Sequence, residues 1–233
     1  MADQGAHTVK SFDEEINALR SLVTQMGGLC EAQISSAVEA LMSRDPEAAM
    51  AVVQTDARID ALEAEAERLA VTMIALRAPM AHDLREIIAA LKISSVLERI
   101  GDYAKNIAKR ASTLTTTAPI GPVVIIPQMA RVVVEMIRDA LDAFVDRDAE
   151  KAVAVCQRDA VVDDFYNSLF RSLLTFMMEN PHHITPSAHL LFIAKNLERI
   201  GDHATNVAEM VFFTATGEHF GGRTKTDDTA YAV

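Results

Sequence analysis

Residues 97–102 read Leu97-Glu98-Arg99-Ile100-Gly101-Asp102, and the same six residue types return as Leu197-Glu198-Arg199-Ile200-Gly201-Asp202. The likeness extends outward, with Leu91, Ile93, Ala104, Asn106 and Ala108 matched by Leu191, Ile193, Ala204, Asn206 and Ala208. A second register, at an offset of 103, aligns Asp45, Glu47, Gln54, Asp56, Ala57 and Asp60 with Asp148, Glu150, Gln157, Asp159, Ala160 and Asp163. The chain therefore reads as two copies of one unit of about a hundred residues.

Ile93, Leu97, Ile100, Ala104, Ile107 and Ala111 follow a 4-3-4-3-4 spacing, the seam of a helix packed in a bundle, and Ile193, Leu197, Ile200, Ala204, Val207 and Val211 repeat it. Glu98, Asp102 and Asn106 fall at i, i+4 and i+8, one above another, on a stripe well over 90° from that seam. The acids are thus expected to flank the bundle. Gly101 and Gly201 occupy helix interiors, where glycine costs roughly 1 kcal/mol relative to alanine. Either a backbone or ligand approaches closely there, or each glycine was inherited through duplication and tolerated.

Half of the 233 residues are apolar, ample for one large or two small cores, while aromatics are only 5% and tryptophan is absent, which favours helices. A net charge of −11 argues against nucleic acid or an anionic membrane surface as the main partner. Two cysteines, Cys30 and Cys156, form no disulfide framework and fit a reducing cytoplasm. The start, Met1-Ala2-Asp3-Gln4, has no signal-peptide pattern, and the longest charge-free run, 111–130, is too rich in Thr, Pro and Gly to span a membrane. A soluble, all-α protein of six long helices is expected.

In chain order, residues 1–8 read as a frayed terminus, followed by a helix from Val9 to Arg44. Its seam is Ile16, Leu19, Val23, Met26 and Cys30, continued after a stutter by Ile34, Ala37 and Leu41, with a possible kink at Gly27-Gly28. Asp45-Pro46-Glu47 is a helix-start signal, and the second helix, to Arg77, carries Val52, Ile59, Leu62, Ala66, Leu69, Met73 and Leu76 on its seam. Asp56 and Asp60 lie on its flank, with Glu63 and Glu67 continuing that side. Pro79 marks a turn into a helix over His82–Ser112, and 112–127 reads as a linker. Helices over 127–147 and 148–179 follow, the latter with Val155, Val162, Tyr166, Leu169, Leu173 and Phe176 on its seam. Thr185-Pro186 is expected to cap the sixth helix after the Asn180-Pro181 turn. Residues 9–113 and 127–216 form the two repeats, and 217–233 reads as a disordered tail.

Folding the second helix back on the third about Pro79 tests the acids. Asp56 and Asp60 centre on residue 58, 21 before that proline, and Glu98 and Asp102 centre on residue 100, 21 after it. In the second half Asp159 and Asp163 centre on 161 and Glu198 and Asp202 on 200, so their common centre, 180.5, falls in the Asn180-Pro181 turn. Each half brings four carboxylates to one level. Such a set repels itself unless it is solvated or neutralised, and oxygen donors without His or Cys suit Mg²⁺, Mn²⁺, Ca²⁺ or iron. The plainer alternative is a solvated acidic face.

Weaker signals are read as structural. Glu179-Asn180-Pro181-His182 crosses a proline turn and cannot be a ligand pair on one helix, so His182 and His183 are turn residues. His203 reads as a surface histidine, Arg99 and Arg199 as ion-paired or solvated, and the methionines as core filler. No nucleophile–base pair or phosphate-binding glycine loop argues for an enzyme.

Asp83-Leu84-Arg85, the two Glu-Arg-Ile-Gly-Asp copies and the paired acidic quartets resemble the PhoU family of bacterial regulators of phosphate uptake and signalling, over residues 9–217. The resemblance implies two tandem pseudo-symmetric three-helix bundles and metal clusters (Mg, Mn, Fe or Zn) on Asp56, Asp60, Glu98 and Asp102, then Asp159, Asp163, Glu198 and Asp202. It also implies a cytoplasmic homodimer that restrains the phosphate regulon as an adaptor between the phosphate ABC transporter ATPase and the sensor histidine kinase. Nucleic acid and membrane insertion are not expected. Val96 and Asn196 stand where the family often has an acid or amide, and Tyr166 stands opposite Glu63, so the halves are expected to differ in metal number or affinity. The competing readings are a metal-binding helical-bundle enzyme or metal store, and a metal-free scaffold.

Overall fold

The computed structural model describes residues 3–117 and 120–221, with side chains from residue 12 onward. Six α-helices and no strand occur among them: α1 (Asp3–Ser43), α2 (Pro46–Arg77), α3 (Ala81–Leu114), α4 (Ile126–Asp146), α5 (Ala149–Glu179) and α6 (Ile184–Thr216). Helix α1 thus begins at Asp3 rather than Val9. The start signals behave as their chemistry dictates. Asp45 accepts from the N–H groups of Glu47 and Ala48, and Asp148 from that of Lys151, each relieving unpaired donors of a first turn. Helix α6 departs from expectation. Asn180 Oδ1 accepts from the N–H of His182 and starts a 3-10 turn over Pro181–His183, so α6 begins at Ile184 and Thr185 is no cap.

In each half three helices pack together, and the halves join through α3 on α6 and α1 on α4. One apolar core therefore runs from Ile16 to Val211. Helices α3 and α6 cross antiparallel, with the equivalent residues Tyr103 and His203 stacked at 5.5 Å and Arg199 over the Tyr103 ring at 5.8 Å. His203 is therefore part of the junction between repeats and not a plain surface residue. The seams of α3 and α6 are buried as their spacing requires. On α2, however, Leu76 is 75% exposed, and Ala49 and Ala70 are buried instead.

The expected linker is largely structured. Helix α3 continues to Leu114, Arg44 Nη2 donates to the carbonyls of Thr115 and Thr117, and a 3-10 turn over Gly121–Ile125 leads into α4. At the other end His219 stacks on Phe213 at 4.8 Å and Phe220 meets Phe212 edge-on at 5.5 Å. The first residues after Gly217 are thus packed, whereas the expected disorder over 222–233 falls outside the described residues.

Gly27 and Gly28 do not interrupt α1. A Cβ at Gly27 would collide with Leu141 Cδ1 of α4, whereas one at Gly28 would meet open space. We expect opposite signs from the two alanine variants. Gly28→Ala should gain roughly 1 kcal/mol from helix propensity, and Gly27→Ala should lose about 1–3 kcal/mol from overpacking before that gain. Thermal unfolding followed by circular dichroism reads both; equal shifts would mean that Leu141 relaxes freely.

Candidate metal centre

The acids of the first half converge, but in a different way from the expected flanking stripe. Asp56 is only 4% exposed, beneath α3. Gly101 lets α2 come this near: an added Cβ there would lie 2.9 Å from Ile59 Cδ1, too close, and 3.5 Å from Asp56 Oδ1, an ordinary contact. The costly glycine is thus accounted for by the approach of α2 side chains to the α3 backbone. Gly201 does the same for α5, with Asp159 Oδ1 3.2 Å and Val162 Cγ1 3.4 Å from the corresponding point. Both aspartates complete a seam. Asp56 stands four residues after Val52 and three before Ile59, and Asp159 is placed identically between Val155 and Val162.

Lys105 of α3 closes the first site. Its Nζ donates to Asp56 Oδ2 on α2 and, at 3.2 Å, to Asp102 Oδ1 on its own helix, and these carboxylates hold its pKa above the ordinary lysine value. Asp60 is exposed, Glu63 and Glu98 are half-buried, and the Asp102 side chain is 50% exposed. Glu98 is held above the usual carboxylate range, by burial first and then by the charges of Asp102, Glu63, Asp60 and Asp56. Five acids therefore share one field, Glu63 being added to the expected four. In the second half Glu198 is likewise raised, mainly by burial. Lys195 opposes this through a 2.8 Å hydrogen bond to Oε1, while Asp202 and Asp163 add to it. The second oxygen of Glu198 is buried without a hydrogen-bond partner.

All eight expected residues thus gather into two clusters. Their oxygen donors fit a hard cation chemically, and a buried, unpartnered carboxylate oxygen is one such a cation would satisfy. Still, among the described residues no three His, Cys, Asp or Glu side chains are spaced to hold a metal ion as they stand. In the first half the reason is visible: the Lys105 ammonium lies between Asp56 and Asp102. Neither histidine of the Asn180 turn joins a cluster; His183 Nδ1 lies 3.3 Å from the Phe176 carbonyl.

The raised acids set a sign for pH dependence. A carboxylate whose folded pKa exceeds its unfolded value binds more protons in the folded state, so stability rises as pH falls through the folded value towards the unfolded one near 4.5. In metal-free protein the contribution of Glu98 should disappear in Glu98→Gln. Urea midpoints of both proteins between pH 7 and 5 should converge on acidification, and parallel profiles would refute it.

Two buried polar residues escaped the sequence reading. Gln33 of α1 is 3% exposed, and it occupies the position three after Cys30 that the seam spacing predicts but that reading skipped as polar. Glu86 is 4% exposed and lies where the α3 seam extends backwards from Ile93 by three to Ala90 and by four more. Cys30 is buried and donates to the Leu97 carbonyl at 3.2 Å, and burial, then the charge of Asp56, pushes its thiol far up. No helix is long and apolar enough to cross a membrane among the described residues.

Known proteins resemble this chain in sequence and fold. The model of the PhoU domain matches the chain twice, over residues 23–111 and 126–211. The "Phosphate-specific transport system accessory protein PhoU homolog" of Zymomonas mobilis is 54% identical over 227 residues, covering 97% of this chain and 96% of that one. The Caulobacter vibrioides protein of the same description is 51% identical over 213 residues, 91% and 93% of the two chains. The crystal structure of PhoU from Pseudomonas aeruginosa superposes with a TM-score of 0.85 at 39% identity, covering 89% of this chain and all of that one. The phosphate transport system regulatory protein PhoU from Streptococcus pneumoniae gives 0.83 at 29% identity, covering 91% and 100%.

Proposed function

Because the chain belongs to the PhoU family over nearly its whole length, we propose that it is an accessory and regulatory protein of a phosphate-specific transport system. It restrains phosphate uptake and phosphate-dependent two-component signalling as a non-enzymatic cytoplasmic adaptor, a homodimer in this reading, between the transporter ATPase and the sensor histidine kinase. The observation that carries the reading is the end-to-end match, in both repeats, to accessory proteins of phosphate transport. Binding of the immobilised full chain to a purified transporter ATPase subunit and to the cytoplasmic part of the sensor kinase tests it. Saturable binding to both is expected, and failure of both under phosphate-replete conditions refutes the adaptor role.

The carboxylate clusters serve this role as cation sites. Asp56, Asp60, Glu98 and Asp102, joined by Glu63, hold a divalent or iron cation in the first half, and Asp159, Asp163, Glu198 and Asp202 do so in the second. A bound cation neutralises the mutual repulsion of each cluster and stiffens the contact of α2 with α3 or of α5 with α6. Support comes from the matched level of the acids in both halves and the buried free oxygen of Glu198. A metal store or metal-dependent enzyme is the second reading, favoured by one observation: Asp56 lies inside the bundle at a seam position. Turnover assays on metal-loaded protein separate the two.

A further inference from the structure

We propose that the first-half carboxylate site is an exchange site: a divalent cation enters between Asp56 and Asp102 by displacing the Lys105 ammonium, and takes Gln33 Oε1 as a neutral ligand from a third helix. The proposal rests on the cation reading given above and assigns to two residues outside the acidic quartet the control of its first half.

Gln33 supplies the first reason. Its side-chain nitrogen donates to the Val52 carbonyl at 3.4 Å, but Oε1 is buried with no hydrogen-bond partner. An amide oxygen left without a partner in a protein interior has lost its hydration with nothing in exchange, so its presence calls for a partner. That oxygen lies 3.4 Å from the point a Gly101 Cβ would occupy, and Asp56 Oδ1 lies 3.5 Å from the same point. A neutral oxygen of α1 and a carboxylate oxygen of α2 therefore converge where α3 has only a glycine.

Lys105 supplies the second. Its ammonium bridges Asp56 of α2 and Asp102 of α3, one positive charge against two negative ones, and both acids also belong to the set that surrounds Glu98. It satisfies Asp56 yet leaves most of the field unbalanced. A divalent ion carries twice the charge at smaller radius and accepts oxygen donors, Gln33 Oε1 included, that an already engaged ammonium does not reach. The Lys105 side chain keeps 27% exposure, which gives it a route into solvent when displaced.

Neither residue is repeated at its equivalent place in the second half, where the ammonium at the cluster is instead that of Lys195 on Glu198. At the offset of 103, Gln33 corresponds to the buried Met136, and at the offset of 100, Lys105 corresponds to Thr205, whose hydroxyl donates to the Asp202 carbonyl at 2.6 Å. The exchange device belongs to the first repeat alone.

The test uses the full chain, Mn²⁺ and three proteins: wild type, Lys105→Thr and Gln33→Met. Each substitution installs the residue type that the second repeat already packs at the equivalent place. Free Mn²⁺ is counted by electron paramagnetic resonance, and acylation of Lys105 by an amine-reactive ester is quantified by mass spectrometry with and without the ion. Lys105 acylation should rise several-fold on Mn²⁺ saturation. Lys105→Thr should bind at one class of sites roughly tenfold or more tightly, because a competing charge is removed, and Gln33→Met should bind more weakly there. Mn²⁺ binding with unchanged Lys105 acylation and equal affinities in all three proteins overturns the exchange while leaving the cation reading intact. No Mn²⁺ binding by any of them overturns both.

Discussion

Replacing Glu86 by alanine is expected to lower the free energy of unfolding by about 2–3 kcal/mol. Glu86 lies on α3 of the first repeat, 4% exposed. One carboxylate oxygen takes Arg20 of α1, and the other takes Arg147 Nη2 at 2.6 Å, in the left-handed turn that joins α4 to α5 in the second repeat. One acid thus ties the two repeats together. Removing one partner of a fully buried ion pair typically costs about 3–5 kcal/mol, because the remaining charge is stranded. Here the arginines retain 22% and 46% side-chain exposure and can turn towards water, which places the effect at or below the lower end of that range. Arg147→Ala should cost less than Glu86→Ala, since Arg20 still neutralises the acid. Urea titration at neutral pH measures both, and a Glu86→Ala change within about 0.5 kcal/mol would reduce the triad to a surface ornament.

The paired substitution Glu98→Gln with Asp102→Asn should give the other large effect, and only in the presence of metal. Without metal, stability should be unchanged or slightly raised: burial and the surrounding acids already disfavour the Glu98 charge, although Lys105 loses one of its two carboxylates. With Mg²⁺ or Mn²⁺ at a hundred times its dissociation constant, each occupied site stabilises wild type by about 2.7 kcal/mol, and the variant should lose the first-half share while keeping the second. Thermal unfolding with chelator and then with added ion reads both. Identical midpoints under all conditions would leave a solvated acidic surface and no cation site.

Much of this protein was legible in the chain. Local, periodic information decided it: the doubled Leu-Glu-Arg-Ile-Gly-Asp phrase, the 4-3 seams, and the Asp-capped starts at Asp45 and Asp148. Helical spacing and capping depend on residues within a few positions of one another, so they survive without knowledge of the fold. The common level of the acids was also legible, because an antiparallel hairpin turns distance along the chain into height.

What only the tertiary structure decided depends on residues far apart in sequence. Asp56 was read as flanking because a charged residue was taken off the seam it completes; its burial goes with a countercharge 49 positions later, the Lys105 ammonium on the neighbouring helix. Glu86 and Gln33 also occupy seam positions, yet their burial depends on Arg20 and Arg147 for the one and on the crossing of α1 with α2 and α3 for the other. The stacking of His203 on Tyr103 required the two repeats to meet along α3 and α6. A single residue's polarity places it outside by default, and only the partners brought by other helices supply the countercharges and the space that let it lie within.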